Sequence, residues 1–430
     1  MGFAIDRRRL LGTAAGAAAA SAAWAPRARA ASRKLLILAH RVHQTSLTQG
    51  AAGDLTKAWR DANDADIEWV TADTNPLQDR LFREASLPAT DFGVGFLVNS
   101  RAVPDRAKLM QGLNDFQARA PIEDFPDIAP GLVDAMRFDG QLAAVPFRHA
   151  TLGLFYNEAL MAERGITALP KTLEELVDQA GKLTFTSAAG TPVTGMVLAS
   201  DLTTFPVTFV RAFGGDFIGA NMQLLPDPAA MEKALATMAG MYRAGSLPRT
   251  YATTSNEDQA TWMMQGRAAF TVLPFARYAQ LNHAQNSKYP GRIKVMEFPV
   301  SESVAGRVRM ASPVEFWAMC VPANARDKEL AWSFIRAMST KEVTMGAARN
   351  GNGPVRVSTY RDPEFIAAQP TAPVEAAALA NARVPLPAFP EAARAQAVFL
   401  EEVQLTVLGR KTPAAAVAAI SERVRPLLPS

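Results

Sequence analysis

Gln141 to Leu183 reads QLAAVPFRHATLGLFYNEALMAERGITALPKTLEELVDQAGKL, and the rest of the chain is arranged around it. Leu142 to Val145 is a short apolar run stopped by Pro146, the pattern of a strand end. Thr151 to Tyr156 is a second run suited to a strand. Asn157 then stands where it can cap a helix whose third residue is Leu160. Thr172 and Glu175 have capping-box spacing, so a further helix starts after Leu169-Pro170-Lys171. Phe147, Arg148 and His149 fall between the two strands, on a tight and largely polar connection.

Upstream, Lys34 to Ala39 (KLLILA) is a short apolar run of the kind that forms a buried parallel strand. An amphipathic helix over Ala51 to Asn63 follows, with Leu55, Ala58 and Trp59 facing inward. Asp66 to Thr71 is a second strand, Pro76 to Arg83 a helix, and Asp91 to Val98 a third strand. Strand and helix alternating at this spacing describe a parallel α/β unit. Ligands of open parallel sheets meet the loops at the carboxyl ends of strands. That rule selects His40, Arg41 and His43, because three long polar groups straight after a buried strand exceed what a turn needs. It also selects Asn99 and Ser100. Asp73-Thr74-Asn75-Pro76 is read as a turn, since these are simply turn residues.

At 430 residues two domains are expected. Arg7-Arg8-Arg9, the Ala-rich apolar stretch Gly12 to Ala25 and Ala28-Arg29-Ala30 make residues 1–30 a signal peptide of the twin-arginine type, with Ala31 as the mature start. Those residues hold five of the 45 Lys and Arg and one of the 41 Asp and Glu, so the remaining chain is balanced in charge. The basic isoelectric point belongs to the leader, and nothing favours nucleic acid or an anionic membrane as partner. The single cysteine, Cys320, lies in an apolar run and reads as core filler. No cysteine follows the leader, which speaks against a lipid anchor and for a free periplasmic protein.

Catalytic patterns are sparse. There is no G-x-S-x-G elbow, phosphate loop or H-E-x-x-H. His40 and His43 make a weak metal pair on a loop, and Asp201 with Glu315 is the one carboxylate pair that hydrolysis would draw on. No cofactor is expected.

The order Val145-Pro146, Tyr156-Asn157, Pro170-Lys171-Thr172-Leu173-Glu174-Glu175-Leu176 resembles the extracellular solute-binding proteins of ABC importers, in the maltose-binding-protein branch. Ala144 stands where that pattern has glycine. Further matches are Phe205-Pro206, Gly214-Gly215, Gly266-Arg267-Ala268-Ala269-Phe270, Met310 to Trp317, and Asn350 to Arg356. The resemblance covers most of residues 34–428. It implies an α/β fold of two lobes (type II), each a mostly parallel sheet flanked by helices, with the ligand cleft between them. It makes Phe147 to His149 the first hinge and Met310 to Trp317 the return crossing. The expected division is 31–147 plus 312–340 for the first lobe and 148–311 plus 341–430 for the second. Pro370 to Pro390 is expected to be a surface connection.

The resemblance also implies a hinge-closing binder of a sugar, oligosaccharide or polyol, working as a monomer with a membrane permease. Aromatic faces suit sugar C–H surfaces, and Phe205, Phe275 and Trp317 are the candidates. Polar candidates are His40, Arg41, His43, Asn99, Ser100, Arg148, His149, Asp201, Arg277, Glu315, Asn352 and Arg356. Four of these are arginines, whose planar forks match carboxylate or phosphate. They raise an anionic solute, such as a sugar acid or glycerol phosphate derivative, as the alternative. A metal-assisted hydrolase on the same scaffold is a third reading, and a sensor that hands its ligand to a receptor is a fourth.

Overall fold

The computed structural model describes residues 33–219 and 222–429. The leader assigned to residues 1–30 and the start at Ala31 lie outside the described residues. Strand Arg33–Ala39 pairs in parallel with Ala65–Thr71 on one side and Phe92–Val98 on the other. Helix Thr74–Ala85 covers them, burying Leu77, Leu81 and Ala85. This is the α/β unit that the alternation of runs implies.

One 13-residue strand, Val145–Asn157, joins the two halves of the molecule. Its first half pairs antiparallel with the return strand Val314–Cys320. Its second half pairs with Ala268–Pro274 and Ile293–Met296. The sequence reading of two strands with a tight connection at Phe147 to His149 is corrected here. Pro146 does not stop the strand, because the register slips beside it: Trp317 faces Arg148 but Ala318 faces Pro146. Phe147 is the extra residue of a bulge, the place where a strand tolerates a proline that has no N–H to give. Asn157 ends the strand and caps helix Glu158–Glu163 through the amides of Ala159 and Leu160. Thr172 caps helix Leu173–Lys182 as its spacing implies. Glu175 reaches one residue further back, taking the amide of Lys171 at 2.6 Å.

Two large separate cores define the lobes, and a smaller cluster around Phe155, Leu273 and Ile293 adds to the second. The first gathers side chains from Leu35 to Phe147 and from Val314 to Ala382. The second gathers those from Leu152 to Met310 and from Phe389 to Val424. The chain therefore crosses three times: in strand Val145–Asn157, near residues 310–314, and at residues 383–389. The expected boundary at residue 340 is corrected, since Ala348, Val355, Tyr360, Phe365, Ala372 and Leu379 all pack in the first core. Pro370 to Pro390 is not a surface connection either. It contains helix Ala372–Ala380 and then the third crossing.

Two local readings also change. The stretch after the first strand is a helix, Arg41–Thr48, capped by His40. The next helix is only Lys57–Asn63, because Gly50 and Gly53 take left-handed conformations and break the chain between them. Trp59 is buried as expected, but Ala58 is exposed.

Candidate functional site

Side chains alternate across a strand, so paired residues on neighbouring strands share a face. Trp317 pairs with Arg148, and Glu315 pairs with Ala150. These four lie on one face of the crossing strands and form the floor of the groove between the lobes. His149 and Phe316 pair on the opposite face.

Two cavities adjoin at Ala150 and Glu315. The smaller, about 230 Å³, is walled by Arg148, Trp317, Glu315, His40 and Thr74. The larger, about 790 Å³, has Asn99, Ser100 and Arg101 on the first lobe, with Thr203, Thr204 and Asn256 on the second. The third crossing closes its end with Pro385, Pro387 and Phe389. Volumes of this order suit a small-molecule ligand.

Arg148 and Glu315 dominate the electrostatics of the floor. Burial raises the Glu315 carboxyl above its ordinary range, and the nearby Arg148 charge pulls it back. Burial likewise lowers the Arg148 guanidinium, while Glu315 supports its charge. The Glu315 side chain is open to the cleft although both lobes surround it. Among the described residues neither group has a direct ion-pair partner within 4 Å, so each keeps hydrogen-bonding capacity for a ligand. Trp317 is half-buried and stands edge-on to His43 at 4.8 Å between ring centres.

The other sequence candidates divide sharply. Asn99 and Ser100 reach the cleft, although the Asn99 side chain also accepts the amide of Phe316 at 2.8 Å. His40 lines the small cavity, with its ring nitrogen accepting the amide of Val42. Arg41 is exposed on its helix and outside the cavity walls. His43 is fully buried behind them, stacked on Phe96 at 4.4 Å, and burial lowers its basicity well below that of a free imidazole. Phe205 reaches the wall but packs in the second core.

Several candidates are placed elsewhere by packing or pairing. Phe275 is 2 % exposed and its ring lies against Gly153 and Phe155. Arg277 is held by Glu257 and Gln280. Asp201 is exposed and outside the walls of both cavities. Asn352 donates to the carbonyl of Phe147, and Gly353 passes so close to the carbonyl of His149 that no side chain fits there. Both belong to the first lobe, contrary to the expected division.

Arg356 is fully buried, donating to the carbonyls of Ser339, Asp124 and Glu123 and pairing with Asp127 at 3.2 Å. His149 borders the small cavity, yet its ring turns to the rear, 2.7 Å from the Tyr360 hydroxyl.

The anionic-solute reading rested on four arginines in the cleft. Of those four only Arg148 faces it, and there Glu315 balances the charge, although Arg101 and Arg106 also line the larger cavity. For the metal reading, His43 Nδ1 accepts the amide of His40 at 3.4 Å. No group of three or more His, Cys, Asp or Glu suited to a metal occurs among the described residues. Sequence reasoning missed Ala150, Asn256 and the wall at Pro385 to Phe389; from the loop Ser200 to Phe205, which the resemblance places along the cleft, it chose Asp201 and Phe205 where Thr203 and Thr204 reach the wall as well. The period-2 pattern of the crossing strand was the signal for Ala150. No local signal marked the third crossing beyond its prolines.

Two α/β lobes, three crossings and a cleft floored by the crossing strands define a hinged binding protein. Residues 54–374 match the family described as bacterial extracellular solute-binding protein, and the chain belongs to that family. It is a solute-binding protein of the ABC-transporter type, working with a membrane permease, and not an enzyme.

A probable amino-acid ABC transporter periplasmic-binding protein of Sinorhizobium fredii is 22 % identical, over 87 % of this chain and 85 % of its own. Maltose-bound MalE3 of T. maritima superposes with a TM-score of 0.72 at 20 % identity, covering 92 % of this chain and all of that one. A solute-binding protein of Agrobacterium radiobacter in complex with ribitol gives 0.71 at 20 % identity, covering 92 % of this chain and 98 % of that one.

Proposed function

We propose that this protein captures a neutral, hydroxylated solute, a sugar or polyol, in the cleft floored by Arg148, Glu315 and Trp317. The observation that carries the reading is the pair Arg148 and Glu315. A guanidinium donates to hydroxyl oxygens and a carboxylate accepts from hydroxyl hydrogens, so together they match vicinal hydroxyls with no net charge left over. Trp317 beside them offers an apolar ring for the C–H face of the same solute. Asn99, Ser100, Thr203, Thr204 and Asn256 supply further polar groups from both lobes, and hinge closure brings the two walls together. The maltose- and ribitol-bound neighbours support this class of solute.

The setting we propose is the periplasm, reached through a cleavable twin-arginine leader, with the mature protein working as a monomer. The family's extracellular character supports it, and no helix among the described residues is long and apolar enough to cross a membrane.

The same two opposite charges also complement a zwitterion, and the Sinorhizobium relative is named for amino acids. A thermal-shift screen of residues 31–430 separates these readings. A ligand at about 100 times its dissociation constant adds roughly 2.7 kcal/mol of stability. Sugars or polyols raising the midpoint support the proposal. Hits only among amino acids, sugar acids or glycerol phosphates overturn it in favour of the class that binds.

A further inference from the structure

Behind the cleft floor lies a second polar cluster with no part in the binding described above. His149 points away from the groove, under helix Ala372–Ala380 and the turn Val357–Arg361. Its tautomer follows from its partners. The amide of Thr151 donates to Nδ1 at 3.2 Å, so Nδ1 is an acceptor. The proton of the neutral ring is then on Nε2, which donates to the Tyr360 hydroxyl at 2.7 Å. Glu375 completes the cluster: its Oε1 is 3.7 Å from Nε2, and its charge bears on the Tyr360 phenol. The relay links three elements: the first crossing strand, the turn, and the helix that leads straight into the third crossing.

We propose that Tyr360 and Glu375 are positioning residues for solute capture, tying the root of the third crossing to the first crossing strand through His149 and releasing it when the relay loses a proton. Burial pushes the Glu375 carboxyl up to about 7, within the range where external pH varies, although Tyr360 stabilises its anion. Burial holds His149 down to about 3, with Arg148 also opposing its charge and the Pro354 carbonyl favouring it. The phenol of Tyr360 is raised well above its usual range, so it stays protonated throughout.

The charged groups around the relay are few. On the crossing strand there is Arg148, whose side chain faces the cleft. Beyond Tyr360, Arg361 and Glu364 are exposed, and Glu364 pairs with Arg349. No Lys or Arg stands within ion-pair distance of Glu375 among the described residues. Its carboxylate, with a side chain only 13 % exposed, therefore gains from water what the protein does not supply. Moving helix Ala372–Ala380 outward provides that water and loosens residues 383–389, the third of the three links between the lobes.

The experiment needs no ligand, so its failure is separable from failure of the sugar or polyol reading. Ala62→Cys on the first lobe and Ala236→Cys on the second are both exposed and carry nitroxide labels. Cys320 is buried with its thiol pushed up to about 12, and stays unlabelled. Interlobe distances are measured by pulsed dipolar spectroscopy from pH 5.5 to 8.5. The expected result is a distribution that widens as pH passes 7. Glu375→Gln, which mimics the protonated carboxyl, keeps the narrow distribution at every pH. Tyr360→Phe, which breaks the relay, gives the wide distribution already at pH 5.5. A distribution independent of pH in the unsubstituted background, or the same pH response in Glu375→Gln, overturns the proposal.

Discussion

The two faces of strand Val145–Asn157 are built to opposite rules. On the cleft face, Arg148 and its neighbour Glu315 lie in the cavity walls and lack direct ion-pair partners among the described residues. On the rear face, His149 is completely buried and both ring nitrogens are hydrogen-bonded. One residue step along the chain separates unfilled from filled hydrogen-bonding capacity. Polar groups that bind a solute must be left available, while polar groups inside a lobe must be satisfied where they stand, since a buried unpaired donor or acceptor costs about 1–3 kcal/mol. Polarity in the sequence marks both faces equally. Partner count in the fold tells them apart.

The sharpest test of the contrast uses two arginines. Arg356→Met removes a fully buried guanidinium and strands three carbonyls and Asp127, so it should destabilise the protein by about 3–5 kcal/mol in denaturant titration. Arg148→Met should instead leave the denaturation midpoint within about 1 kcal/mol and weaken solute binding about 10- to 100-fold by calorimetry, as loss of a hydrogen bond to a charged group does. Equal stability losses in the two variants would erase the distinction.

Phe275→Ala should also act on stability rather than affinity. It empties space against Gly153 and Phe155 and should cost about 3 kcal/mol, a typical price for truncating a buried phenylalanine. A variant that folds normally but loses binding would return Phe275 to the cleft.

The rear face sharpens the comparison through pH. His149, with its folded pKa lowered to about 3, takes up a proton more readily when unfolded. Its contribution is full above about pH 6.5 and is lost as pH falls toward 3. Glu375, raised to about 7, has the opposite sign: its contribution is full below about pH 4.5 and is lost as pH climbs through 7. Between about pH 4.5 and 6.5 the two slopes oppose, and stability should be nearly flat. Glu375→Gln removes one slope, so stability should rise with pH across that window by up to about 1.4 kcal/mol per unit. A flat profile in the variant would show that His149 is not held neutral. The smallest effect belongs to Arg277→Ala, which should change solute affinity less than about twofold, because Glu257 and Gln280 already hold that side chain.

Local chemistry made much of the fold legible. The strand-and-helix alternation from Lys34 to Val98 and the Asn157 and Thr172 caps follow from neighbours in sequence. The site was legible only in part. Arg148, Glu315, Trp317, Asn99 and Ser100 reach the cleft, whereas Arg277, Arg356, His43 and Phe275 do not. Residue type alone does not separate them, since an arginine that grips carbonyls reads the same as one that faces a ligand.

By itself the chain determined its periodicities, its caps and the ordered set of motifs across the first crossing, because these depend on residues within a few positions of one another. Only the tertiary structure decided which side of the crossing strand faces the groove, that the chain crosses at residues 383–389 as well, and which charges find partners. Those depend on contacts such as Arg356 with Asp124 and His149 with Tyr360, made between residues more than 200 positions apart. No local pattern encodes such a pairing, because its energy exists only once distant stretches of the chain have packed into one lobe.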